Sequence, residues 1–239
     1  MVFQTYAYTN QGGRTNNEDY CTYSDGIWVL ADGLGGHDCG EVASKAASEA
    51  TVRSWNERNK SMSDESLIDV IGDVNRRVIE LQKNDSLSMK TTLVFAVSDG
   101  KEIRYANVGD SRFYYFKNRK IVRQSEDHSV SAALAKMGDI KYEDIRSDED
   151  RNKLLKVIGN DDNLKIKDLD PALTVENGDA FLLCSDGFWE YVYEQEMEID
   201  LSKSSSPKEW ISYMTKRILL RTENKNNDNF TAICVMIGE

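Results

Sequence analysis

Three times in this chain an apolar run ends abruptly on an aspartate. Ile27-Trp28-Val29-Leu30-Ala31 meets Asp32-Gly33, Tyr105-Ala106-Asn107-Val108-Gly109 meets Asp110, and Ala180-Phe181-Leu182-Leu183-Cys184-Ser185 meets Asp186-Gly187. A strand that is apolar throughout is buried on both faces, so the residue at its end leaves the core at a fixed place. A fixed carboxylate suits a metal ligand. Aspartate before glycine is equally a common turn signal, and for any single pair both readings stand. Asp25-Gly26 and Asp99-Gly100 each separate two strand-like runs, as hairpin turns do. Asp32 and Asp186 differ, because Leu34-Gly35-Gly36 and a helical pattern follow the first and Phe188-Trp189 the second. Glu18-Asp19 and Asp228-Asn229 add acids at strand edges, whereas Asp148-Glu149-Asp150 and Asp161-Asp162 read as solvated loop charge.

The donor chemistry narrows the cation. Two histidines, and four cysteines (Cys21, Cys39, Cys184, Cys234) with no CxxC spacing, provide no nitrogen or sulfur ligand set. Carboxylate oxygens converging at sheet edges favour Mg or Mn over Zn. Arg14 lies four residues before Glu18. A guanidinium beside hard cations is what a phosphate dianion requires, although alone it is also an ordinary surface residue.

These acids need elements to place them. Phe3–Thr9, Tyr20–Tyr23, Ile27–Ala31, Thr92–Val97, Ile103–Val108, Arg112–Phe116, Ala180–Cys184 and Phe230–Ile237 read as strands in a largely antiparallel arrangement. Glu41–Asn59 and Glu65–Lys83 read as a helical hairpin, the second carrying Leu67, Val70, Ile71, Val74, Val78 and Leu81 at helical spacing. Ser131–Met137 is a shorter helix closed by Gly138. Ser206-Pro207 caps another, which runs through Trp210, Ile211, Met214, Ile218 and Leu219. With no linker or repeat in between, this segregation predicts one α+β domain over residues 1–239.

Composition excludes several classes of function. Forty per cent hydrophobic and 30% charged residues in 239 is ordinary globular composition with enough chain for a sizeable core. A formal charge of -11, from 41 acidic and 30 basic residues, opposes a nonspecific grip on nucleic acid or anionic membrane. Neither a leader pattern nor a run of the roughly 20 apolar residues of a membrane span is present, so a cytoplasmic location is expected. The cysteines are expected to be free thiols without a chemical role.

The motifs together resemble the metal-dependent type 2C family of protein serine/threonine phosphatases in its compact bacterial form. They run in order as Gly13-Arg14-Thr15-Asn16-Asn17-Glu18-Asp19, Val29-Leu30-Ala31-Asp32-Gly33-Leu34-Gly35-Gly36-His37, Thr91-Thr92, Ala106-Asn107-Val108-Gly109-Asp110-Ser111-Arg112, Glu126-Asp127-His128-Ser129, Leu183-Cys184-Ser185-Asp186-Gly187 and Asp228-Asn229-Phe230-Thr231. The resemblance implies two stacked antiparallel β-sheets flanked by antiparallel helix pairs, an α-β-β-α sandwich, with residues 138–159 as a flap beside the cleft. It implies hydrolysis of phosphoserine and phosphothreonine on proteins by a water activated between two Mn or Mg ions. Residue by residue, Asp32 would bridge both ions, Asp186 and Asp228 would complete one set of ligands, and the Gly33 carbonyl with Glu18 through water would serve the other. Arg14 would hold the phosphate, and Asp127 with Asp186 would hold a weaker third ion. Asp19 and Asp110 would support the motifs.

The implied partners are phosphorylated proteins, including a cognate Ser/Thr kinase or its substrates, met by a monomer. Three departures stand out: Lys90 where glycine is usual, a flap without the frequent His-Pro, and Leu34 where eukaryotic members carry a histidine proposed as general acid. Metal-bound water would then protonate the leaving serine oxygen, while His37 and His128 would be structural. Two other classes compete. A pseudophosphatase that binds without catalysing would be favoured by loss of a metal aspartate, and none is lost. A passive calcium-binding domain lacks a contiguous EF-hand loop here.

Overall fold

A computed structural model describes residues 1–34, 39–85, 88–160, 164, 166 and 169–238, without the side chains of 84 and 85. His37 and Asp161-Asp162 lie outside the described residues. Two antiparallel sheets carry the architecture. One has the order β1 (Val2–Asn10), β11 (Phe230–Gly238), β10 (Ala180–Cys184), β7 (Arg112–Lys117), β8 (Lys120–Gln124). The other runs β2 (Asp19–Ser24), β3 (Ile27–Leu34), β5 (Leu93–Ser98), β6 (Glu102–Val108), β9 (Leu173–Thr174), with the short β4 (Lys90–Thr91) paired to the end of β3.

Side-chain alternation explains the layers. Trp28 and Leu30 of β3, Val94 and Ala96 of β5, Phe181 and Leu183 of β10, and Ile233 and Val235 of β11 fill the space between the sheets. Their neighbours Ile27, Val29, Ala31, Phe95 and Val97 face helices α1 (Gly40–Glu57) and α2 (Asp64–Asp85). Leu182, Cys184, Ala232 and Cys234 face α4 (Asp186–Trp189), α5 (Glu194–Lys203) and α6 (Pro207–Arg221) on the opposite side. The helix–sheet–sheet–helix order expected from the resemblance is therefore present. Strands buried on both faces are why the sequence shows unbroken apolar runs instead of alternation.

Local signals behave as their chemistry requires. Asp99 Oδ1 accepts from the N–H groups of Lys101 at 2.8 Å and Glu102 at 2.9 Å, bonds that lower its pKa and make it a turn residue. The Ser129 hydroxyl caps α3 (Val130–Met137) by accepting from Ala132, and Gly138 closes it at φ 84°. Ser206 caps α6 in the same way, with Pro207 in its first turn. Two elements have weak sequence signatures. Strand β8 is short and half-exposed, and α5 is so rich in acids that it has almost no apolar stripe. Among the described residues, no helix is long and apolar enough to cross a membrane.

Candidate active site

Asp32 leaves the core one residue after Ala31, and its main chain is pinned from both sides. Its N–H donates to Thr92 Oγ1 at 2.9 Å, while its carbonyl accepts from Thr92 N at 2.8 Å and Thr91 Oγ1 at 2.7 Å. This is the structural content of the Thr91-Thr92 motif. Gly33 follows because nothing larger fits: a Cβ there would lie 2.2 Å from the Gly40 carbonyl at the start of α1. Overpacking of that kind forces the backbone to move. The same contact brings Glu18 close, since a Cβ on Gly40 would meet its carboxylate at 2.6 Å and Gly33 N–H donates to the Glu18 carbonyl at 3.1 Å.

Asp186 emerges from β10 as the first residue of α4. Just before it, Ser185 is tied to β11 through Thr231, and its hydroxyl donates to Asp19 Oδ2 at 2.8 Å. Asp228 precedes β11 and accepts from Arg14 Nη2 at 2.8 Å. Asn229 joins the two ends of the chain. Its amide donates to the carbonyls of Gln11 and Asn16, and its Oδ1 accepts from Glu18 N–H. The sequence showed Asn229 only as a companion of Asp228, without a role of its own.

Arg14, Glu18, Asp32, Gly33, Asp186 and Asp228 thus line one cleft of about 370 Å³ together with Asp110, Asn152 and Leu154. Arg151, next to Asn152, pairs with Glu190 at 2.7 Å. The electrostatics are dominated by crowded acids. Burial, and then repulsion from Asp19, Asp186, Asp110 and Asp228, holds the Asp32 carboxyl well above the usual range. Asp186 is raised likewise by burial and by Asp110. Burial pushes Asp19 up to about 6 and Asp110 up to about 7. Asp19 Oδ1 is buried without a hydrogen-bond partner. Among the described residues, Arg14 is the one basic side chain lining the cleft, and it is already shared with Asp228.

This donor set fits a hydrated hard cation. Among the described residues no three Asp, Glu, His or Cys side chains form a closed metal cage. The carboxylates instead line one common cleft, as suits a cation that keeps much of its water. The excess of carboxylates that resist ionisation together is the stronger argument, because a divalent charge relieves all of them at once.

Asp127 is elsewhere, and here the structure corrects the expectation. Its carboxylate grips the Arg112 guanidinium bidentately, Oδ1 to Nε at 2.9 Å and Oδ2 to Nη2 at 2.7 Å, with both side chains 1% exposed. A carboxylate so engaged is committed to that pair, and it does not line the cleft. The acid that does reach the cleft beside Asp186 is Asp110, which the motif reading had left as a support. A signal was available: Arg112 heads the strand Arg112–Lys117, buried over its first five residues, and a buried arginine demands a buried acid. His128 acts as an anchor, its N–H donating to the Gly109 carbonyl and its carbonyl accepting from Leu155, both at 2.8 Å. Burial lowers its pKa to about 4.

A family model described as Protein phosphatase 2C matches residues 9–229. The chain is similar to the serine/threonine phosphatase stp of Listeria welshimeri, 32% identical over 95% of this chain and 88% of that protein. It is similar also to the protein phosphatase PhpP of Streptococcus pneumoniae, 28% identical over 95% and 94%. Among solved structures, the serine/threonine phosphatase Stp1 from Staphylococcus aureus matches with a TM-score of 0.82 at 29% identity, covering 100% of this chain and 96% of that one.

Proposed function

The chain belongs to the protein phosphatase 2C family of serine/threonine phosphatases, and we propose that its acidic cleft hydrolyses phosphoserine and phosphothreonine on proteins with the aid of Mn or Mg. The observation that carries this reading is the convergence of Asp32, Asp186 and Asp228 on one cleft with Arg14 at its edge. In this reading Asp32, Asp186 and Asp228, with the Gly33 carbonyl and Glu18, would hold the core cations. A weaker third cation falls to Asp110 and Asp186. When bound, such cations make water acidic enough to attack at neutral pH and offset the charge developing on phosphoryl oxygens.

The remaining work is done by this chain's own groups. Arg14 presents the guanidinium edges not used by Asp228 to the phosphate, and that pair orients it before substrate arrives. The Ser185–Asp19 hydrogen bond ties the end of β10 to the start of β2 in the other sheet, where Asp19 pairs opposite Asp32, and so links the places from which Asp32 and Asp186 emerge. Leu34 lines the cleft where a histidine acid would stand, and no imidazole lines it among the described residues. Asn152 and Leu154 offer a polar and an apolar contact to the peptide around the phosphoresidue. Nothing favours the noncatalytic alternative, since Arg14 and all three core aspartates line the cleft.

The same reading takes residues 1–239 as one catalytic domain with 138–159 as flap, working as a cytoplasmic monomer on phosphoproteins that include a Ser/Thr kinase or its substrates. Phosphate release from a phosphothreonine peptide, measured with Mn, with Mg and after exhaustive chelation, tests it. Turnover should vanish on chelation and return with either ion. Full turnover in the chelated protein would overturn the metal reading.

A further inference from the structure

Trp189 closes the helical turn that Asp186 opens, and it is 2% exposed. Its indole N–H donates to the carbonyl of Asp110 at 2.9 Å. One rigid ring is therefore joined to two acids that line the cleft, through three residues of chain to Asp186 and through a buried hydrogen bond to Asp110. The ring is itself held. The Arg112 guanidinium lies over it with its central carbon 3.4 Å from the ring centroid, and Asp127 fixes that guanidinium bidentately. Stacking of a cation on indole is strongest where water is excluded, as here. Asp32 and Asp228 are placed by other contacts, the Thr91-Thr92 pair and Asn229.

We infer that Trp189, locked by the Asp127–Arg112 pair, is a positioning residue that sets the spacing of Asp110 and Asp186 and so tunes the outer cation site without forming part of it. This rests on the reading that Asp110 and Asp186 together hold a cation. It also gives Asp127 a role: the acid reaches the site at two removes, through Arg112 and Trp189.

Trp189→Phe keeps an aromatic face for Arg112 and removes the N–H donor together with part of the buried ring, a packing loss that the unfolding measurement reads separately. Calorimetric titration with MnCl2 of the wild type, Trp189→Phe and Asp110→Asn, with unfolding of the metal-free proteins alongside, separates the outcomes. Trp189→Phe should weaken the outer site about 10- to 100-fold, the range for losing a group that orients a ligand, while the tight sites stay near their wild-type affinity. Asp110→Asn should abolish the outer site. An unchanged outer site in Trp189→Phe, or equal weakening of every site, overturns the positioning role. An outer site that survives Asp110→Asn overturns it as well. A wild type that binds no Mn overturns the metal reading beneath it instead. Should Trp189→Phe fail to fold, Arg112→Lys keeps the charge facing Asp127 but gives up the flat stacking surface. It should then weaken the outer site selectively, and no change there would refute the proposal.

Discussion

Replacing Asp127 by asparagine should unfold this protein more readily without touching its tight cation sites. The carboxylate forms two charge-assisted hydrogen bonds to Arg112 in a place where both side chains are 1% exposed. Asparagine keeps the shape but loses the charge, and it can offer only one oxygen to a guanidinium that stays buried. Removing one partner of such a pair costs about 3–5 kcal/mol, because the other charge is left desolvated. Here the loss should sit near the lower end, about 3 kcal/mol, since Glu194 is 3.6 Å from Arg112 and the Tyr114 hydroxyl accepts from it at 3.1 Å. For a chain of this length 1 kcal/mol moves the midpoint by about 2–4 °C, so Tm should fall by roughly 6–12 °C. The assay is thermal and urea unfolding in chelator, so that cation binding contributes nothing. A Tm within about 2 °C of wild type, less than 1 kcal/mol, would refute the assignment of Asp127 to a structural pair. If that unchanged stability came with a lost Mn site, Asp127 would be a ligand after all.

Arg14→Lys should leave unfolding nearly unchanged, because the Arg14–Asp228 pair is half-exposed and such pairs contribute about 0–1 kcal/mol. It should lower kcat/KM on a phosphopeptide because lysine cannot replace the bidentate fork, and undiminished kcat/KM would place phosphate binding elsewhere. Gly187→Ala puts a Cβ 2.1 Å from the Asn229 carbonyl, so it should destabilise by about 1–3 kcal/mol or more and weaken both the Asp186 and Asp228 positions; a neutral Tm would refute the close packing. The pH dependence of the metal-free protein has a fixed sign. Asp110 has its folded pKa raised to about 7, so its contribution is full below the unfolded value near 3.8 and is lost as pH rises through about 7. In chelator, Asp110→Asn should therefore gain stability relative to wild type between about pH 4 and pH 7, and a constant difference in Tm across that range would contradict the crowding of acids.

The strand-to-aspartate pattern was legible without coordinates because burial on both faces of a strand forces continuous apolarity, and the first polar residue after it marks the exit from the core. That reasoning located Asp32, Asp110 and Asp186 alike, and it told the turn aspartates Asp25 and Asp99 apart by the return strands that follow them. The helices α1, α2, α3 and α6 announced themselves through apolar spacing and caps, while acid-rich α5 and half-exposed β8 had too little apolar periodicity to do so. What the linear pattern could not decide was which acid faces the cleft and which faces a partner. Asp110 and Asp127 both stand where β-runs give way to loops, and their fates diverge only because β7 carries Arg112 inward to Asp127 while Trp189 folds back onto the Asp110 carbonyl. Ion pairing and desolvation depend on separations across the sandwich, between residues 15 and 79 positions apart. The amino-acid types thus predicted that several carboxylates would converge, and the packing of two sheets decided which of them line the cleft.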